Sequence, residues 1–103
     1  MNLIEILQLR ATYRARLAAT SQDSYLTVLQ NIFQDIEKKV KSGSLTKQQG
    51  EELVRALLGI ALESYPIDGL ESLNESIEKG SLDISFDAND SIASMVAALK
   101  VQK

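Results

Sequence analysis

The sequence predicts an all-α fold, a compact bundle of four to five helices, on three observations. Apolar residues recur at steps of three and four over most of the chain. Polar breaks carrying helix-capping residue types separate these runs. At 103 residues with 45% hydrophobic and 24% charged side chains, the chain has the size and balance of one globular domain spanning 1–103.

The first run, 2–19, reads as a helix. Ile6, Leu9, Tyr13 and Leu17 fall on one face, and Ile4, Leu7, Ala11, Ala15 and Ala18 form a second line beside it. Apolar character therefore covers more of this helix than one packing contact needs. Two explanations stand: the helix lies centrally in the bundle, or its second line meets a partner.

Thr20-Ser21-Gln22-Asp23 is a polar break with N-cap residue types, and it opens a second helix over 22–41. Tyr25, Leu29, Ile32, Ile36 and Val40 make its core stripe, widened by Val28 and Phe33. Lys38, Lys39 and Lys41 suit the negative end of its macrodipole, and Gly43 follows as a left-handed cap. Thr46 and Gln49 match a capping box for a third helix running to about Ser64. The short connection makes 22–64 an antiparallel helical hairpin. Inside helix three, Gly59 costs about 1 kcal/mol relative to Ala, which suggests close packing against the alanine line of helix one.

Pro66 stops helix three at or before Tyr65. Asp68 and Glu71 are suited to cap a short helix over 69–79, with Leu70, Leu73 and Ile77 buried. Leu82-Asp83-Ile84-Ser85-Phe86-Asp87 alternates with period two, which predicts an extended segment near 82–87 laid over the bundle. No partner strand stands out elsewhere. A last helix, capped within 87–90, presents Ile92, Met95, Val96 and Leu99 to the core.

The residue types that are missing narrow the chemistry. With no Cys and no His, the chain has no thiolate nucleophile, no imidazole base and no means of assembling a Ser-His-Asp or Cys-His arrangement. Glu71, Glu75 and Glu78 pair carboxylates at helical spacing, but opposite the apolar row, where solvation rather than acid–base work is expected. Asp83-x-Ser85-x-Asp87-x-Asn89 has the spacing of calcium-loop ligands, yet Ala88 replaces the turn glycine and Ser94 the bidentate Glu. No phosphate-binding glycine loop occurs. The expectation is a protein with no catalytic residues, cofactor or metal.

Charge marks two surfaces. Arg10 and Arg14 stand one turn apart on helix one. From Glu63 to Asp90 the chain holds eight acids against the single base Lys79. That stretch either steers a basic partner or complements Arg10, Arg14 and the Lys38–Lys41 run internally. An overall net charge of −3 opposes non-specific nucleic-acid affinity, although the basic face of helix one keeps a small nucleic-acid-associated regulator as the alternative.

The preferred expectation is a non-enzymatic protein–protein interaction module, such as an adaptor, a regulatory subunit or a protein inhibitor. In size and helical pattern the chain resembles the small bacterial immunity proteins that neutralise bacteriocins, one example of what an inhibitory bundle can be. The candidate partner surface comprises Ile4, Leu7, Arg10, Ala11, Arg14, Glu71, Glu75, Glu78, Asp83 and Asp87. Its expected occupant is another protein with a basic surface, or a second copy bound through helix one. No apolar stretch approaches the ~20 residues of a membrane span. The N-terminus lacks a basic leader, so the cytoplasm is the expected location.

Overall fold

The computed structural model describes residues 2–79 and 92–101. Among them are five α-helices: α1 (Leu3–Ala18), α2 (Tyr25–Lys41), α3 (Lys47–Ser64), α4 (Leu70–Glu78) and α5 (Ile92–Ala97). A 3₁₀ turn, Gln22–Ser24, precedes α2, and two short strands, β1 (Ile67–Asp68) and β2 (Lys100–Val101), complete the described elements. The chain is an all-α bundle.

The helix boundaries follow from local chemistry. Asn2 caps α1, accepting from the Glu5 amide at 2.9 Å while Glu5 Oε1 accepts from the Asn2 amide at 3.3 Å. Thr46 and Gln49 form the same reciprocal box at the start of α3, at 3.1 and 3.0 Å. Gly43 takes φ +86°, and the Leu45 amide returns to the Lys39 carbonyl at 3.1 Å, closing the hairpin while Leu45 is buried. Pro66 ends α3, leaving Tyr65 extended as its C-cap.

Two boundaries differ from expectation. Helix two begins at Tyr25 rather than residue 22, because the first three residues wind as a 3₁₀ turn with no side-chain cap bond at Ser21 or Ser24. Helix four is capped by Gly69 at φ +84°, not by Asp68, so a glycine conformation sets its start.

The core runs along the α2–α3 hairpin. Tyr25, Leu29, Ile32, Phe33 and Ile36 of α2 are fully buried with Val54, Leu57, Leu58 and Ala61 of α3. α1 and α4 pack on this hairpin, and α5 lies along α2. Tyr25 and Tyr65 meet edge to face, centroids 4.8 Å apart, a geometry worth about 0.5–1.5 kcal/mol beyond area burial. Tyr65 also donates to the Thr20 carbonyl at 3.3 Å. These contacts bring the end of α1, the start of α2 and the end of α3 together, so α1 and α3 run alike and α2 runs against both.

At this same end β1 pairs antiparallel with β2, Ile67 opposite Val101 and Asp68 opposite Lys100. This ribbon was not foreseen; the strand-like segment near 82–87 lies outside the described residues. Gly69 lets the ribbon and α5 close, since a Cβ there would stand 3.1 Å from Leu99 Cδ2. Gly59 plays no such part: a Cβ there would meet nothing within 4 Å, so the expected close packing against helix one is absent.

Candidate functional site

The central placement considered for α1 does not hold. α1 is a peripheral helix that docks by a single stripe, with Tyr13 and Leu17 buried and Ile6 and Leu9 half-buried. Its second line faces outward: Ile4, Leu7, Ala11, Ala15 and Ala18 are all exposed. Leu3, Ile4 and Leu7 are 71, 68 and 53% exposed, the large hydrophobic side chains left uncovered among the described residues. Three such residues within two turns form a contiguous apolar patch, unlike the singly scattered exposed residues of an ordinary surface.

Arg10 and Arg14 border this patch and are exposed. No ion pair joins either to a carboxylate among the described residues, where Lys39 and Asp35 form the recorded pair at 3.4 Å. Among the described residues, then, the acids of that stretch (Glu63, Asp68, Glu71, Glu75 and Glu78) supply no internal complement to these arginines. Lys38, Lys39 and Lys41 close α2 at the end of the bundle to which Leu3, Ile4 and Leu7 also belong. The patch thus has a cationic border in Arg10 and Arg14, while its end of the bundle mixes these lysines with Glu5, Glu37, Glu51 and Glu52.

One polar contact positions α1. The Tyr13 hydroxyl donates to Asp35 Oδ2 on α2, and Asp35 in turn holds Lys39. Burial first, then the bond to Asp35 and its negative charge, push the Tyr13 phenol well above its ordinary range, with Arg16 acting weakly the other way. The phenol stays protonated and acts as a fixed donor between helices. Sequence reading placed Tyr13 in the core but missed this partner, because the 22-residue separation carries no local signal.

The acidic candidates divide. Glu71, Glu75 and Glu78 are exposed on α4 as expected, but that face presents no exposed apolar residue beside them. Asp83 and Asp87, with the calcium-like spacing, lie outside the described residues. Among the described residues no group of three or more acids is arranged to hold a metal ion. An open cleft of about 250 Å³ near the ribbon is lined by Gln22, Asp23, Leu26, Lys100 and Val101. It gathers one acid and one base. No described helix is long and apolar enough to cross a membrane.

No protein-family model, curated protein or solved structure matches the chain.

Proposed function

We propose that this chain is a non-enzymatic protein–protein interaction module that acts through the outer face of α1. The observation carrying this reading is the exposure of Leu3, Ile4 and Leu7 on a helix already anchored by its opposite face. Leaving three large aliphatic side chains more than half exposed forgoes roughly 1–2 kcal/mol of burial each. A partner surface that covers them recovers that free energy on binding. Ile4, Leu7, Ala11, Arg10 and Arg14 belong to this one surface, whereas the acids of α4 form a purely polar face. An adaptor, a regulatory subunit and a protein inhibitor all fit a module of this kind.

The test compares tagged wild-type chain with Leu7→Asp and Glu75→Lys after purification from the source cells. The wild type and Glu75→Lys are expected to retain a stoichiometric protein partner, and Leu7→Asp to lose it with its melting temperature unchanged. A Leu7→Asp protein that keeps the partner, or a wild type that is a strict monomer without one, removes the proposal.

A further inference from the structure

Resting on that reading, we infer that the occupant of the α1 face is an acidic amphipathic helix of a different protein. The apolar part, Leu3, Ile4, Leu7 and Ala11, is a ridge that continues into the small side chains Ala15 and Ala18. Small residues let a second helix axis approach closely over the C-terminal half, while the larger ones interdigitate near the N-terminus. Sixteen residues give a face about 24 Å long, matched by a helix of similar length.

Charge selects the occupant. Arg10 and Arg14 follow one edge of the ridge, exposed and without an ion pair among the described residues. A helix bearing Glu or Asp along the facing edge satisfies both, each pair being drawn to the seam by its partner charge. A second copy does not. In an antiparallel two-fold pairing that uses the whole length of α1, like edges meet, which brings the Arg10–Arg14 edges of the two copies together. In a parallel pairing the nearest carboxylate on α1 is Glu5, already held by the Asn2 amide in the capping box.

The experiment titrates the full chain with two synthetic amphipathic helical peptides sharing one apolar row, one edged with glutamates and the other with lysines. Binding is followed by fluorescence anisotropy and by amide chemical shifts. The glutamate peptide should bind at least about tenfold more tightly, weaken as salt rises, and shift resonances of α1. The double variant Arg10→Glu with Arg14→Glu should reverse the preference without losing its fold, because both side chains are exposed. Equal binding of the two peptides, binding of neither, a preference unchanged by charge reversal, or dimerisation through α1 in sedimentation would each overturn the inference. Those outcomes leave the Leu7→Asp comparison standing, so the failure of the acidic-helix inference is distinguishable from failure of the interaction reading.

Discussion

Two buried tyrosines occupy opposite hydrogen-bonding situations, and replacing each by phenylalanine is expected to move stability in opposite directions. Tyr13 donates to a carboxylate across the α1–α2 seam, whereas the Tyr25 hydroxyl is buried without a hydrogen-bond partner of normal geometry among the described residues. The nearby Ser64 hydroxyl donates to the Ile60 carbonyl at 2.9 Å. A hydrogen bond to a charged group contributes roughly 1.5–3 kcal/mol. Asp35 is part-exposed and keeps Lys39 after the change, so the lower end applies and Tyr13→Phe should cost about 1.5 kcal/mol. For a domain of this size that lowers the melting temperature by roughly 6–12 °C. Tyr25→Phe removes a buried, unsatisfied hydroxyl while keeping the ring against Tyr65, and should be neutral or stabilising by up to about 1 kcal/mol. Thermal and urea unfolding followed by circular dichroism measure both changes. If Tyr13→Phe is neutral, or if Tyr25→Phe destabilises more than Tyr13→Phe, the reasoning about this seam is wrong.

Three further outcomes are expected. Gly59 lies within α3 with open space where a Cβ would go, so Gly59→Ala should raise stability by about 1 kcal/mol in urea denaturation. Gly69→Ala should lower it by about 1–2 kcal/mol or more, since φ +84° is strained for alanine and Leu99 stands in the way. The phenols of Tyr13 and Tyr25 are both raised from the ordinary value of 10.0, chiefly by burial. Their contribution to stability is therefore complete below about pH 10 and is lost as pH climbs toward their folded values. Unfolding should set in steeply above pH 10, less steeply for Tyr13→Phe, and pH-independent stability from 9 to 12 would contradict the burial argument.

Much of the fold was legible because its signals are local. The α2 stripe of Tyr25, Leu29, Ile32 and Ile36 sits on a helix with one apolar face, so period alone located the core. Thr46 with Gln49, Gly43 and Pro66 fixed the ends of the hairpin by chemistry that acts over a few residues. The box of Asn2 and Glu5 carries the same kind of local signal at the start of α1, one that the apolar periodicity of that helix does not show. The ribbon of β1 and β2 was not legible: two-residue strands joined across more than thirty positions leave no periodicity.

The candidate site was half legible. The residues of the outer line, Ile4, Leu7 and Ala11, were identifiable, but apolar residues spread around α1 are compatible with burial on both sides or on one. Deciding between these needs to know whether anything packs on the second line, which depends on where α3 and α4 go. The structure leaves that line uncovered among the described residues. Charge complementarity between Arg10, Arg14 and the acidic stretch was equally undecidable from composition, since it depends on which elements adjoin.

The central claim is that the outer face of α1 is the surface a partner covers. Site-specific photo-crosslinking in the source cells tests it most directly, with the reactive residue placed at Ala11 on α1 or at Ser72 on the exposed face of α4. The account predicts a single protein adduct from position 11, abolished by Leu7→Asp, and none from position 72. An adduct from position 72 alone, or none from position 11, would contradict it.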